Sequence, residues 1–159
     1  MTATVSIWRI ATDAPTYEAT DLSGAGAKLS GGRWNRPGAP LVYASSSIAL
    51  ACLETLSHLD GSDLPLNRYL VRIQVPGAIW DKAMQLEPSV GWDATPAGRV
   101  SLDAGMKWMA GRQSVLLKVP SVIVAEEPNI LINPEHPDAA KLKALKVRKF
   151  LYDSRLLKL

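Results

Sequence analysis

The stretch from Ser114 to Asn133 limits the fold more than any other part of the chain. It holds three short apolar runs, Ser114-Val115-Leu116-Leu117-Lys118-Val119, Val122-Ile123-Val124-Ala125 and Asn129-Ile130-Leu131-Ile132-Asn133, with Pro120-Ser121 between the first two. Runs this short, bounded by turn residues and rich in aliphatic side chains, read as strands, and three in succession predict an antiparallel meander. Arg68 to Val75 adds a strand of two-residue period closed by Pro76-Gly77, and Val5 to Ile10 alternates in the same way. Pro40 to Ala44 reads as a further short strand, and Val147 to Tyr152 as a last one.

Helical periods interrupt these strands at a few places. Ser45-Ser46-Ser47 supply N-cap candidates for a helix from Ile48 to Leu59. Arg99 to Arg112 repeats Leu102, Met106, Trp108 and Met109 near one helical turn and reads as a helix despite Gly105. A short helix is expected from His136 to Leu145, after Pro134. Residues 11–30 look like an irregular loop long enough to cover a ligand, and residues 76–97 like a connection with at most a turn of helix. A chain of 159 residues fits one core, and no internal repeat divides it. The expected fold class is α+β: a single compact domain over 1–159, with a mixed, largely antiparallel sheet and flanking helices.

Chemistry concentrates between Gly31 and His58. In Gly31-Gly32-Arg33-Trp34-Asn35, two glycines let the backbone turn tightly, the Arg33 fork suits a phosphate or carboxylate, and Trp34 offers a flat face for a ring. Tyr43 follows on the strand and Glu54 on the helix. At 100° per residue Ala49, Cys52, Leu53, Leu56 and Leu59 gather on one side, expected to be the core side, with Glu54 and His58 opposite. Cys52, the single cysteine, belongs to the apolar set and is expected in the core rather than as a nucleophile.

Missing motifs narrow the field. There is no P-loop, no Gly-x-Gly-x-x-Gly, no cysteine pair for zinc and no His-Glu-x-x-His helix, so neither a catalytic metal nor a prosthetic group is expected. Ser114 and Ser121 lack a nucleophile elbow, and His136 lies beside prolines, where a structural role is expected. The net charge of +3 suits an anionic substrate or an acidic partner without specifying nucleic acid. It is concentrated late, where Lys141, Lys143, Lys146, Arg148, Lys149, Arg155 and Lys158 face one acidic residue, Asp153. The N-terminal Met1-Thr2-Ala3-Thr4 does not open a signal sequence and no run reaches membrane-spanning length, so the chain is expected in the cytoplasm.

Several separated segments together resemble the RES domain family, whose members are toxins of bacterial toxin–antitoxin pairs. They are Gly31 to Asn35, Val42-Tyr43-Ala44-Ser45, Ala51-Cys52-Leu53-Glu54, Ser114 to Ser121, and Asn129 to Pro137, in the family's order over nearly the whole chain. The resemblance implies a fold related to ADP-ribosyltransferase toxins and an activity that consumes NAD, by phosphorolysis, hydrolysis or ADP-ribosyl transfer, with NAD as substrate and inorganic phosphate as a candidate co-substrate. It implies that Arg33 binds phosphate, Tyr43 stacks at the nicotinamide end and Glu54 engages the nicotinamide ribose. The family's serine maps to Ser114, with Ser121 as second choice. It further implies a cognate Xre-like, DNA-binding antitoxin that occludes the site, and allows a homodimer within that complex. Two other classes compete: an RNA-targeting toxin using Arg33, His58 and Glu54 in acid–base roles, and a binding module in which Arg33 and Glu54 simply pair.

Overall fold

The computed structural model describes residues 3–59 and 65–157, so Met1, Thr2 and Lys158, named above, lie outside the described residues. Seven strands form one sheet: β1 Val5–Thr12, β2 Val42–Ser45, β3 Arg68–Val75, β4 Met84–Gln85, β5 Leu116–Pro120, β6 Pro128–Ile132 and β7 Lys143–Lys149, in the order β4-β5-β6-β2-β1-β3-β7. Every pairing is antiparallel except β4 with β5, so the sheet is mixed and largely antiparallel as expected. Four helices accompany it: α1 Ala25–Ser30, α2 Ile48–Leu56, α3 Gly77–Asp81 and α4 Arg99–Gly111.

The sheet consists of two halves. β1 and β3 pair over their full lengths, and β2 pairs with β6 over all of its own four residues, whereas β1 and β2 share the single position Trp8 with Ser45. Because side chains alternate along a strand, the register assigns each residue to a face. Ile7, Ala11, Val42, Ala44, Val71, Ile73, Ile130 and Ile132 form the core on the first face, where Ala19, Leu22, Ile79 and Trp80 cover them. The second face carries two separate clusters. One joins Leu117, Val119 and Leu131 to Trp34, Leu41 and Trp108 of α4; the other joins Ile10 and Leu70 to Ala51 of α2, Phe150 and Tyr152. Ser45 and Asn129, paired across β2 and β6, lie on this second face, at the seam between the half-sheets.

Local expectations are overturned at two places and refined at two more. Val122–Ala125 is not a strand but the turn of the β5–β6 hairpin: the Ser121 hydroxyl captures the amides of Ile123 and Val124 at 3.1 Å each, and this curls a β-branched run that would otherwise extend. Residues 136–145 form only a 3₁₀ turn, Pro137–Lys141, and β7 starts at Lys143 rather than Val147, because Lys143 to Lys146 pair with β3. Residues 76–97 hold the expected turn of helix, α3, and after it the two-residue strand β4, which was not expected. The segment 11–30 contains α1 and divides between the faces: its buried Ala19 packs on the first face of the sheet, whereas Ala27 of α1 packs against the Trp34 cluster on the second.

Gly105 looks like a flaw inside α4 until its surroundings are seen. A Cβ there would overlap the backbone carbonyl of Trp34, so the missing side chain is what lets the helix lie against the Gly-Gly-Arg-Trp turn. None of the described helices is long and apolar enough to cross a membrane.

Candidate active site

The site hangs from β2, a strand of four residues. At its near end Tyr43 reaches into the turn that precedes it: the hydroxyl donates to Asn35 Oδ1 at 2.6 Å and accepts the Trp34 amide at 3.0 Å. Gly32 makes this approach feasible, since a Cβ there would stand 2.5 Å from the Tyr43 hydroxyl oxygen. Asn35, fully buried, completes the brace by donating to the carbonyls of Ala27 and Ala39. Burial pushes the Tyr43 phenol up to about 12, against the pull of its hydrogen bonds to Trp34 and Asn35 and of the Arg33 charge. The hydroxyl therefore stays protonated and serves as a strut, leaving only the ring for contact with a ligand.

The turn held in this way presents Arg33. Its Nη1 donates to the carbonyls of Trp92 and Ala94 at 3.1 and 2.8 Å, and the side chain is half-buried. One arm of the guanidinium is thus tied to the strap that follows β4, which restrains the long side chain before any anion arrives. The open stacking face expected of Trp34 does not exist. Its ring is buried in the α4 cluster and stacks on Trp92 with centroids 6.1 Å apart and planes 22° from parallel. Trp34 locks strap to turn.

Two residues along β2, about 7 Å at strand rise, Ser45 leads to the second half of the site. Helix α2 starts with Ser47, whose side chain accepts the Leu50 amide at 3.1 Å. The packed face is rotated from the expected one: Leu50 and Ala51 are buried and Cys52, Leu56 and Leu59 pack beside them, while Ala49 and Leu53 are exposed. Ile48-Ala49-Leu50-Ala51-Cys52-Leu53 is apolar on all sides, so periodicity could not choose which stripe packs. With the helix turned this way Glu54 comes to the hairpin, and its Oε1 accepts the Ser121 hydroxyl at 2.6 Å and the Asn129 amide at 2.7 Å. His58 is exposed and makes no hydrogen bond to Glu54 among the described contacts. Cys52 packs in the α2 cluster, where desolvation raises its thiol above the usual range.

Of the two candidate serines, the structure brings Ser121 to Glu54. Ser114 lies at the other end of β5, buried, donating to the Leu116 carbonyl at 2.8 Å and accepting Trp108 Nε1 at 3.0 Å, which ties α4 to the sheet. Asn129 and Trp92 escaped the sequence reading as site residues. Asn129 stood among the matching segments without a role of its own. Among the described residues no three His, Cys, Asp or Glu side chains gather as a metal centre would need.

The assembled features are an arginine on a braced turn, an aromatic ring on the strand behind it, and a carboxylate with one oxygen held by two donors. Comparison with known proteins places the chain in a family. The RES domain model matches residues 6–153. A protein of Sphingobium sp. (strain YBL2) named "Prs ADP-ribosylating toxin" is 61% identical over 158 residues, 98% of each chain. A "Toxin Res" of Pseudomonas putida is 38% identical, covering 94% of this chain and 98% of that protein, and one of Yersinia enterocolitica is 35% identical, covering 88% and 93%. The toxin–antitoxin complex MbcT–MbcA of M. tuberculosis offers a similar fold, with TM-score 0.62 over 99% of this chain and 89% of that one; at 15% identity the likeness is one of architecture.

Proposed function

The chain belongs to the RES domain family, and on that premise we propose that it is the toxin of a toxin–antitoxin pair that cleaves the bond between nicotinamide and ribose in NAD and transfers ADP-ribose to a protein. The observation that carries the NAD chemistry is the Glu54 carboxylate, fixed through one oxygen by Ser121 and Asn129 and anchored to the same short strand as the Arg33 turn. As the C1′–N1 bond breaks, its electron pair leaves with nicotinamide, whose ring nitrogen becomes neutral, and C1′ takes on positive charge. Glu54 stabilises that charge and orients a ribose hydroxyl, while Arg33 holds the diphosphate still. The acceptor then bonds to C1′ and gives up its proton.

Phosphate, water and a protein side chain can all attack the same carbon. The Sphingobium relative, whose name specifies ADP-ribosylation of Prs, supports a protein acceptor and Prs as the first candidate. Incubation of the purified chain with NAD and Prs is expected to increase the mass of Prs by one ADP-ribose. Nicotinamide release that requires phosphate, proceeds without Prs and leaves Prs unmodified would replace this reading with phosphorolysis.

Such an enzyme needs restraint in its own cell, and a cognate antitoxin is the proposed partner. The simplest block places a carboxylate of the antitoxin on Arg33, which satisfies the guanidinium and excludes the diphosphate together. NAD is then expected to compete with the antitoxin, and Arg33→Ala to weaken the complex.

A further inference from the structure

We propose that Ser45 and Asn129 form an oriented hydrogen-bond chain that sets the rotation of the Glu54 carboxylate, which makes Asn129 a positioning residue for the NAD reaction; the kinetic part of this inference rests on the function proposed above. An asparagine side chain can present either its oxygen or its nitrogen to a neighbour, and the surrounding network decides which. Here the Glu54 carboxylate, which can only accept, decides: the amide nitrogen faces it and donates to Oε1 at 2.7 Å, while the Ser45 hydroxyl, 4% exposed, donates to Asn129 Oδ1 at 2.8 Å and holds that orientation. The reverse orientation would set a carbonyl oxygen against a carboxylate.

Ser121 is ordered by the same logic. Its oxygen accepts the amides of Ile123 and Val124, so its one proton is left for Glu54 Oε1. Both donors therefore meet the same oxygen. Two donors on one oxygen define the rotation of a group whose last torsion is otherwise broad. Glu54 Oε2 has no hydrogen bond among the described contacts, so it is the oxygen offered to substrate. Ser45 also marks the single position at which β1 and β2 pair, so the chain starts from the seam of the sheet and ends on the reacting group.

The test uses the full chain with Asn129→Ala, Asn129→Asp and Ser45→Ala, read by nicotinamide release from NAD and by ¹⁵N spectra of the Asn129 side-chain amide. Asn129→Ala is expected to lower kcat about 10- to 100-fold with KM within about threefold of wild type. Asn129→Asp lowers it further, since an isosteric carboxylate gives Glu54 no proton and repels it. Ser45→Ala has the smallest effect, because the amide remains held by Glu54 and loses only its second anchor. In the spectra, the two Asn129 amide protons are expected to be well separated, and to shift on both Ser45→Ala and Glu54→Gln. Folded Asn129→Ala and Asn129→Asp proteins with wild-type kcat, or an Asn129 amide signal indifferent to both neighbours, would overturn the proposal. A wild-type chain that releases no nicotinamide fails the functional reading instead, and the amide signal alone then decides whether the chain exists.

Discussion

Gly105 lies so close to Trp34 that helix α4 and the Arg33 turn share one contact surface with no room for a methyl group. On an exposed helix, glycine to alanine stabilises by about 1 kcal/mol. Here the sign reverses. Gly105→Ala is expected to destabilise the chain by about 1–3 kcal/mol, the usual range for overpacking, measured as a lower urea midpoint at unchanged slope. Because the strain falls on the residue next to Arg33, NAD binding should weaken in the same variant.

Glu54→Gln retains an oxygen to accept Ser121 and Asn129 and removes the charge. The fold should hold, with melting temperature near wild type, while kcat falls about a hundredfold or more and KM changes little, as expected for a group acting on charge that develops in the transition state. Wild-type turnover in the folded variant would remove Glu54 from the mechanism.

Arg33→Lys preserves charge but not the fork, and a lysine cannot both keep the two carbonyl contacts of the strap and grip a diphosphate. The expected loss in kcat/KM is about 1.5–3 kcal/mol, the worth of a hydrogen bond to a charged group. Steady-state kinetics with NAD checks it, and an unchanged KM would show that the anion is held elsewhere.

Tyr43→Phe leaves the Trp34 amide and Asn35 Oδ1 without their shared partner, at a cost of about 1–3 kcal/mol. The phenol also makes stability depend on pH. With the folded pKa raised to about 12 and the unfolded one near 10, the native state keeps a proton that the unfolded state has lost. The contribution is fully present below about pH 10 and is lost as pH rises through 12. Tyr152, also raised by burial, adds to the same alkaline slope, so the informative quantity is the difference between wild type and Tyr43→Phe, which should shrink across this interval. A constant difference would show that the phenol is not buried as described.

What the sequence revealed depended on whether local pattern or distant contact made the choice. β3 was legible because its alternation matches a register of eight pairs with β1. The turn from Gly31 to Asn35 was legible as a site because glycines before an arginine mean close backbone approach, although the close neighbour, the Tyr43 hydroxyl, could not be foreseen. The face of α2 was not legible, since almost every residue from Ile48 to Leu53 can be buried and only the tertiary packing selects among them. Ser114 and Ser121 bracket one strand and are equivalent on paper. They part company because one follows α4 and meets Trp108, whereas the other closes a hairpin over α2.

The basic run near the end of the chain now has a position: β7 is the last strand of the sheet, and among the described residues its outer backbone edge is unpaired. An open edge is a template on which a second copy can extend the sheet. Any such copy would bring its own Lys143, Arg148 and Lys149 to within a strand spacing, about 4.8 Å, of the same charges here, and all three are exposed. Like charge opposes such an extension. The guard is electrostatic, so concentrated salt should erode it, and self-association that rises with ionic strength would be its signature.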